Sequence, residues 1–286
     1  MPIYLETTNF LSESFSRQDD KRMLEKLNGD TRLFPIIGTP IIHVKAPQRL
    51  TSGIEARGYN GICIPLEVAD EDLEDVMRGL SHSANVGGVL VTMPHKFNAF
   101  KYCGTSSRTA KLLKGVSVMR RNQDRSWHGE MLDGLAFVKA QVDAGARPNG
   151  ARALLVGAGA AGSAIAIALL EAGVRELTIH DSNEARVEQL MTILAGIGVG
   201  RVSVGSADPT GFDMVCNATP MGMTAGDPSP VAVELLSASM FVGDVVAGHG
   251  VTALLQAALA AGCNTADGVQ MVEAQQEMML DFLLGG

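Results

Sequence analysis

Short apolar runs alternate with mixed polar and apolar stretches through the first half of the chain. The runs Leu33–Gly38, Gly61–Pro65 and Gly87–Thr92 hold few polar residues and predict buried strands. The stretches Pro47–Arg57 and Asp70–Gly79 separate these runs and predict helices. The second has acidic residues in its first turn, which suits the helix dipole. This β-α-β-α-β order predicts a mostly parallel sheet with helices on its faces.

The second half of the chain repeats the alternation. An apolar strand, Ala153–Val156, precedes a small-residue helix, Ser163–Ala172. Later strands are predicted at Glu176–His180, Val202–Val204, Met214–Asn217 and Phe241–Val246. A helix at Gly134–Ala144 and the turn-rich residues 145–150 connect the two halves, and a last helix runs from about Val269 to Leu283.

A complete GxGxxG turn, Gly157-Ala158-Gly159-Ala160-Ala161-Gly162, joins the strand at 153–156 to the helix that follows it. In such turns the first glycine allows a tight turn, the second lets the backbone approach a pyrophosphate, and the third lets helix and strand pack closely. Unpaired amides at the helix N-terminus then face the phosphates. Asp181, about 20 residues further on, is placed to accept hydrogen bonds from an adenosine ribose hydroxyl. This half is predicted to be a Rossmann domain that binds a dinucleotide.

We therefore predict an α/β protein of two domains. Residues 1–133 form a substrate-binding and catalytic domain, and residues 134–268 form the Rossmann domain, with a hinge near 134–150. Ligands of such sheets bind at the carboxyl ends of the strands, so the active site is expected in the cleft between the domains. Residues 1–30 are polar and hold one helical candidate, Arg17–Leu27.

Composition narrows the possible partners and location of the protein. The 286 residues carry a net charge of −8, which provides no electrostatic footprint for nucleic acid or for an anionic membrane. The N-terminal segment lacks the pattern of a signal peptide, and no apolar stretch is long enough to span a membrane. Four scattered cysteines indicate reduced thiols and no metal site. A cytoplasmic location is expected.

Two polar residues of the first half are candidates for chemistry. Lys96 follows a buried strand by a few residues, and Asp133 directly precedes the connecting helix. A lysine and a carboxylate in a cleft with a nicotinamide could handle the proton that accompanies hydride transfer. Taken alone, each residue also has a structural interpretation, Lys96 as a solvated helix start and Asp133 as a helix N-cap.

Several motifs occur in the order found in the shikimate/quinate dehydrogenase family, and the chain resembles that family from about residue 31 onward. The matching pieces are Gly38–His43, Val91–Lys96, Gly129–Gly134, the GxGxxG turn, Asn217–Met223 and Asp267–Gly268 leading to Gln275. The resemblance implies that the last helix, 269–286, returns to the substrate domain. It also implies that Lys96 and Asp133 are the catalytic pair and that Thr92 and Gln275 hold substrate hydroxyls. The implied cofactor contacts are Gly157–Ala161, Asn217, Ala218, Thr219, Val245 and Gly268.

The substrate side departs from the family pattern. The Ser-x-Ser pair that binds the substrate carboxylate in that pattern is Val44 and Ala46 here. At four further positions where the family pattern has an asparagine, a threonine or a tyrosine, this chain has Leu90, Ser117, Leu132 and Ala247. Because a hydrogen bond to a charged group contributes ~1.5–3 kcal/mol, losing both serines corresponds to about 3–6 kcal/mol, or on the order of 10²–10⁴ in affinity.

These departures predict retained redox chemistry with altered substrate specificity. Val44, Ala46, Leu90 and Leu132 predict a more apolar pocket. His43, His95 and Arg32 are candidates for a replacement polar contact, and each histidine also has a structural interpretation as a surface residue or a satisfied core residue. The predicted substrate-binding residues are Thr92, Gln275, Ser117, Val44, Ala46 and His43.

The cofactor side departs as well. The Asn-Arg-Thr run with which NADP-dependent members bind the 2′-phosphate is replaced by Asp181-Ser182-Asn183. A carboxylate repels a 2′-phosphate and suits a ribose diol, so NAD is favoured, while Arg186 keeps NADP open.

The sequence thus predicts an NAD(P)-dependent dehydrogenase that oxidises, reversibly, a secondary ring hydroxyl of a shikimate- or quinate-like acid. Two alternatives remain at this point: a non-catalytic NAD or metabolite sensor on the same fold, and a methylene-tetrahydrofolate dehydrogenase with a related layout. A monomer or a homodimer is compatible with the sequence.

Overall fold

The computed structural model describes residues 27–42, 44–224, 226–248 and 250–285. Within these ranges the chain forms two six-stranded sheets, one from each half, with helices packed on both. The predicted helix Arg17–Leu27 lies outside the described residues except for Leu27, which is not helical. Among the helices that the structure describes, none is long and apolar enough to cross a membrane.

The first sheet follows the β-α-β-α-β order predicted for it and then adds three short strands. Its strands are β1 Arg32–Gly38, β2 Gly61–Glu67, β3 Gly88–Val91, β4 Cys103–Ser106, β5 Val118–Arg121 and β6 Trp127–Glu130. The order across the sheet is β2-β1-β3-β5-β6-β4. β5 runs antiparallel to both of its neighbours, and the remaining pairs are parallel. The central strand β3 is buried along its whole length.

Three helices accompany this sheet: α1 Ala46–Ala56, α2 Leu73–His82 and α3 Arg108–Leu113. A short 3₁₀ helix, Asn98–Tyr102, follows β3. The sequence prediction placed α1 within one residue at each end but began α2 three residues early, because the acidic residues from Asp70 to Asp72 form a turn ahead of the helix. Glu74 and Asp75 lie in the first turn of α2, where they complement the helix dipole.

The second sheet is entirely parallel. Its strands are β7 Arg152–Val156, β8 Glu176–His180, β9 Arg201–Val204, β10 Met214–Asn217, β11 Phe241–Asp244 and β12 Asn264–Ala266. They lie in the order β12-β11-β10-β7-β8-β9. This is the strand order of a Rossmann fold. β8 and β9 are added on one side of β7 and the last three strands on the other, so the order reverses between β7 and β10. The strands predicted for this half are confirmed, with small shifts at their ends.

Five helices belong to this half or connect it to the first: α4 Asp133–Asp143, α5 Ala160–Glu171, α6 Glu184–Ala195, α7 Ala253–Ala260 and α8 Gly268–Leu284. A short 3₁₀ helix, Val233–Leu235, precedes β11. The α/β class with mostly parallel sheets is confirmed.

The last helix, α8, returns from the second half to the first. A Cβ atom placed on Gly53 of α1 would lie 2.4 Å from a methyl carbon of Leu280, and one on Gly88 of β3 would lie 2.3 Å from a methyl carbon of Leu283. Both glycines therefore allow α8 to approach the first sheet closely. Met279 and Leu280 are buried in the apolar cluster that also holds Leu90 of β3.

The helix α4 lies where the two halves meet. It packs against α5, the helix after the glycine-rich turn, and against α8. Phe137 on α4 belongs to the main apolar cluster, which extends into both halves of the chain. The predicted domain boundary, between residues 133 and 134, falls after the first residue of this helix, and we propose that division of the chain because the strands on either side belong to different sheets.

Candidate active site

Lys96 and Asp133 meet at the boundary between the two halves. Lys96 follows β3 through a turn in which the backbone amide of His95 donates to the carbonyl of Thr92 at 3.0 Å. The Lys96 Nζ donates to Asp133 Oδ1, and the side chains are 14% and 6% exposed. The structure therefore brings the predicted pair together in a nearly buried ion pair.

Asp133 lies in the first turn of α4, so the positive end of the helix dipole favours its carboxylate. Its second oxygen, Oδ2, is buried and has no hydrogen-bond partner within the described ranges. An unpaired buried carboxylate oxygen is costly unless a further donor completes the site. Oδ2 therefore keeps the capacity to accept one more hydrogen bond.

His95 is held beneath this pair and does not face the cleft. It is fully buried, its Nε2 lies 2.7 Å from the carbonyl oxygen of Val68, and its Nδ1 lies 3.1 Å from Asp70 Oδ1. His95 is therefore a core residue and not a replacement substrate contact, because both ring nitrogens face the segment after β2. The ring instead anchors the turn that carries Lys96.

The other two candidates for a replacement polar contact are Arg32 and His43. Arg32 begins β1 and lies beside Gly87, at the end of the strands opposite to the carboxyl ends. Its position therefore removes Arg32 from the candidates for a replacement contact. His43 lies outside the described residues.

A cleft of about 310 Å³ opens above Lys96. It is lined by Ile36, Val44, Lys45, Ala46, Arg49, Leu90, Val91, Thr92, Lys96, Ser117, Ala247, Gly248, Val269, Val272, Gln275 and Met279. All the described residues predicted to bind substrate are in this set. The apolar replacements at 44, 46, 90 and 247 all line the cleft, so its walls are more apolar than the family pattern implies.

Leu132 and Ser117, which were both predicted to form part of the substrate pocket, make contacts that the sequence did not predict. Leu132 does not line it and is buried in the apolar cluster with Val118 and Leu280, so its predicted part in the pocket wall is wrong. Ser117 lines the cleft, but its Oγ accepts a hydrogen bond from the amide of Leu132 at 2.9 Å. That bond fixes the residue preceding Asp133.

Lys45 and Arg49 also line the cleft, and sequence reasoning missed both. Lys45 is the N-cap residue of α1, and Arg49 lies in the first turns of the same helix. The signal was present: Lys45 lies between the two positions at which the family pattern has serines, and Arg49 follows four residues later. Residues spaced by four share one face of a helix.

The GxGxxG turn has the backbone geometry that its glycines predict. Gly157 has φ +106°, and a Cβ atom on it would lie 2.8 Å from the carbonyl carbon of Ala218. A Cβ atom on Gly162 would lie 1.9 Å from the carbonyl oxygen of Gly157. A Cβ atom on Gly159 would meet nothing within 4 Å. The turn thus leaves open space beside Gly159 at the N-terminus of α5, where Ala160 and Ala161 begin the helix. A pyrophosphate fits such a cradle.

Asp181 follows β8 and faces this turn. Its Oδ2 accepts the amide of Ala158 at 2.7 Å, and its Oδ1 accepts the amide of Asn183 at 2.8 Å. Each carboxylate oxygen can accept a further bond, so the group can still bind a ribose hydroxyl. Arg186 lines a cavity of about 120 Å³ beside Gly159 and Ala160.

Asn217 is the last residue of β10, the neighbour of β7, and the glycine turn follows β7. It is fully buried; its amide nitrogen donates to Asp244 Oδ1 at 2.9 Å, and its amide oxygen accepts from the Thr219 amide at 3.0 Å and hydroxyl at 2.7 Å. Ala218 donates its amide to the carbonyl of Val156 at 2.7 Å. The side chain of Asn217 therefore holds the turn that presents Ala218 and Thr219.

Asp244 is the buried centre of this network. Besides Asn217, the Thr252 hydroxyl donates to it at 2.7 Å and the Val246 amide at 3.0 Å. Burial nevertheless raises the pKa of the Asp244 carboxyl above its ordinary value, because desolvation outweighs these hydrogen bonds. Sequence reasoning missed this residue, since an aspartate ending a strand carries no distinctive signal.

Val245, which directly follows β11, lies against Gly268, the first residue of α8. A Cβ atom on Gly268 would lie 2.5 Å from the Val245 carbonyl oxygen and 2.4 Å from the Val246 carbonyl carbon. Only glycine permits this approach, which fixes where α8 starts relative to β11. α8 then carries Gln275 into the cleft.

Comparison with known proteins identifies the family of this chain. Residues 36–119 match the family model of the shikimate dehydrogenase substrate binding domain. A shikimate dehydrogenase (NADP(+)) of Rubrobacter xylanophilus is 38% identical over 262 residues, which cover 88% of this chain and 92% of that protein. The chain belongs to the shikimate dehydrogenase family. The family, the fold class and the enzyme class predicted from the motifs, an NAD(P)-dependent oxidoreductase acting on a CH–OH group, are confirmed.

Solved structures of this family share the fold over nearly the whole chain. Shikimate 5-dehydrogenase of Listeria monocytogenes, solved in complex with shikimate and NAD, is 26% identical with a TM-score of 0.84 and covers 91% of this chain and 94% of its own. The 5-ketofructose reductase of a Gluconobacter strain is 25% identical with a TM-score of 0.82 and covers 91% and 95%. These two structures, a dehydrogenase and a reductase, are thus named for different substrates.

Proposed function

We propose that this member of the shikimate dehydrogenase family oxidises, reversibly, a secondary ring hydroxyl of a cyclic hydroxy acid with a nicotinamide cofactor. The observation that carries the proposal is the nearly buried Lys96–Asp133 pair, because Lys96 lines a cleft that residues of both halves of the chain line together, Ala247 and Gly248 among them. A bound nicotinamide supplies the hydride acceptor.

Lys96, acting as the neutral amine, would take the proton of the substrate hydroxyl and become an ammonium as the carbon gives up its hydride. Asp133 holds the Lys96 Nζ in position through Oδ1, and its buried Oδ2 would accept a hydrogen bond from a substrate hydroxyl that reaches it. Thr92 and Gln275 line the same cleft and can bind further hydroxyls. General acid–base catalysis by a positioned side chain contributes roughly 10²–10⁴-fold to the rate.

The substrate would differ from that of typical family members. Val44, Ala46, Leu90 and Ala247 give the cleft apolar walls where the family pattern has polar groups. Few hydroxyls could then be satisfied on those walls, and an unsatisfied buried hydroxyl costs roughly 1–3 kcal/mol. We therefore expect a less hydroxylated ring than shikimate.

NAD would be preferred to NADP. Asp181 faces the glycine turn with both carboxylate oxygens engaged by backbone amides, which holds the negative charge at the expected ribose position. A 2′-phosphate there would meet like charge. The related enzyme of Rubrobacter xylanophilus is named for NADP(+), so this preference would distinguish the two proteins.

We further propose a cytoplasmic enzyme that acts as a monomer or a homodimer. The four cysteines are all free thiols, which suits a reducing compartment.

The catalytic assignment can be tested with Lys96→Ala and Asp133→Asn. We expect both variants to lose turnover by about 10²-fold or more while NAD affinity, measured by calorimetry, stays near the wild-type value. Lys139→Ala provides the control, because Lys139 pairs with Asp143 at 2.7 Å on the exposed face of α4. Wild-type turnover in either active-site variant would overturn the assignment of that residue.

A further inference from the structure

The charged side chains that line the substrate cleft are all basic. They are Lys45, Arg49 and Lys96, and no carboxylate is among the described lining residues. Asp133 neutralises only Lys96. Lys45 and Arg49 therefore leave an excess of positive charge in the cleft of a chain whose net charge is −8. A basic cleft in an acidic protein concentrates the electrostatic field where an anion would bind.

Arg49 is the better placed of the two unpaired basic groups. It is half-buried, and within the part of the chain that the structure describes its guanidinium has no hydrogen bond or ion pair. Its backbone is fixed, because the side-chain amide Nε2 of Gln276 donates to the Arg49 carbonyl oxygen at 3.1 Å. Gln275, the neighbour of Gln276 on α8, lines the cleft. Helix α8 thus holds Arg49 in position relative to the residue that binds substrate hydroxyls.

Lys45 extends across the mouth of the cleft. A Cβ atom placed on Gly248, in the segment after β11, would lie 3.5 Å from Lys45 Nζ. The ammonium therefore lies between the substrate side and the cofactor side, and it is mostly exposed. An exposed ammonium contributes less to binding than a half-buried guanidinium, because water screens its charge.

We propose that Arg49, assisted by Lys45, binds the carboxylate of the substrate and thereby replaces the two missing serine hydroxyls. The orientation of the substrate ring toward Lys96 rests on the proposed dehydrogenase function. The binding of the carboxylate to Arg49 does not. A guanidinium matches a planar carboxylate with two parallel hydrogen bonds. The apolar walls then contact the ring. The substrate class is an alicyclic hydroxy acid with one carboxylate and few hydroxyls.

The test uses binding rather than turnover as its first readout. The probes are 3-hydroxycyclohexanecarboxylate and its methyl ester, titrated by calorimetry into the enzyme in the presence of NADH. We expect the acid to bind more tightly than the ester. Arg49→Gln should weaken binding of the acid about 10- to 100-fold and leave the ester unchanged, because only the charged pair is lost. Lys45→Gln should weaken it by a smaller factor, about threefold.

Lys111→Gln is the matched control, because Lys111 is an exposed lysine of α3 outside the cleft. It should bind the acid like the wild type. Equal affinity of Arg49→Gln and wild type for the acid would overturn the proposal, as would equal affinity of the wild type for acid and ester. Absence of binding of either probe at millimolar concentration would also contradict it.

Turnover of the same probes is measured separately. If the acid binds through Arg49 but NAD is not reduced, the carboxylate site stands and the proposed dehydrogenase function fails for this probe. If NAD is reduced equally well with acid and ester, the dehydrogenase function stands and the carboxylate site is contradicted.

Discussion

Gly134 lies so close to Ala164 that a Cβ atom on the glycine would stand 2.1 Å from the Ala164 carbonyl oxygen. Gly134 follows Asp133 at the start of α4, and Ala164 lies in α5, the helix that follows the dinucleotide turn. The backbone that carries the proposed catalytic carboxylate is thus packed directly on the helix that would bind the pyrophosphate. The position of Asp133 relative to the cofactor depends on this contact.

Replacing Gly134 with alanine should separate the two helices. Overpacking of this kind typically costs about 1–3 kcal/mol, and a shift of about 1 Å in a catalytic group can lower turnover about 10²-fold. We expect a lower thermal midpoint together with a loss of kcat. Leu135→Ala is the control, because Leu135 is the next residue of α4 and is exposed. A Gly134→Ala variant with wild-type kcat would show that the contact does not position Asp133.

The glycines of the dinucleotide turn should separate folding from cofactor binding. In Gly162→Ala the added methyl group meets the Gly157 carbonyl oxygen, so we expect a lower thermal midpoint. In Gly159→Ala the methyl group enters open space, so we expect stability near that of the wild type. That space is where the pyrophosphate would lie, so Gly159→Ala should still bind NAD at least tenfold more weakly.

Thermal unfolding and calorimetric titration with NAD check both variants. Normal NAD affinity in Gly159→Ala would contradict the proposed pyrophosphate position. An unchanged thermal midpoint in Gly162→Ala would contradict the close packing of the turn.

The cofactor preference should depend on Asp181 and its neighbour Ser182. Replacing Asp181 with asparagine and Ser182 with arginine removes a negative charge and adds a positive one beside the ribose. A charged hydrogen bond to a 2′-phosphate contributes ~1.5–3 kcal/mol, so the ratio of kcat/KM for NADP over NAD should rise about 10- to 100-fold. The single variant Ser182→Arg, which keeps the carboxylate, should shift less. An unchanged ratio in the double variant would place the ribose elsewhere.

The buried carboxyl of Asp244 should make stability depend on pH. Its pKa is raised by burial, so the folded protein binds this proton more tightly than the unfolded chain does. The associated stabilisation is therefore present at acidic pH and is lost as pH rises above the ordinary aspartate value of about 4. Asp244→Asn removes the titration. The difference in thermal midpoint between wild type and variant should move in favour of the variant as pH rises from about 4.5 to 7.5.

A difference that is independent of pH would show that Asp244 titrates alike in the folded and unfolded states. A difference that moves in favour of the wild type would mean that the hydrogen bonds from Thr252, Val246 and Asn217 outweigh desolvation.

Much of the fold could be predicted from sequence where strands are apolar and continuous, as in β3 and β7. The segment 103–130 could not, because β4, β5 and β6 have four residues each and carry polar residues such as Arg120 and His128. Runs so short and polar give no clear period. The antiparallel strand β5 was missed for the same reason.

The Lys96–Asp133 pair was predicted from a lysine after a strand, an aspartate before a helix and the family resemblance, and the structure brings the two side chains together. Arg32 begins β1, far from the carboxyl ends of the strands, so it is not the replacement contact for which it was a candidate. His95 and Leu132 could not be placed, because their burial depends on tertiary packing around the turn and α4. Arg49 depends on the rotation of α1 about its axis, which packing against α8 determines.

The central claim is tested most directly by following absorbance at the nicotinamide band. The purified enzyme is supplied with NAD and with NADP, separately, against shikimate, quinate and less hydroxylated cyclic hydroxy acids. We predict formation of NADH, faster with the less hydroxylated acids than with shikimate, and abolished in Lys96→Ala. No reduction of either cofactor by any of these acids, in a protein that binds NAD, would contradict the account and favour a sensor on the same fold.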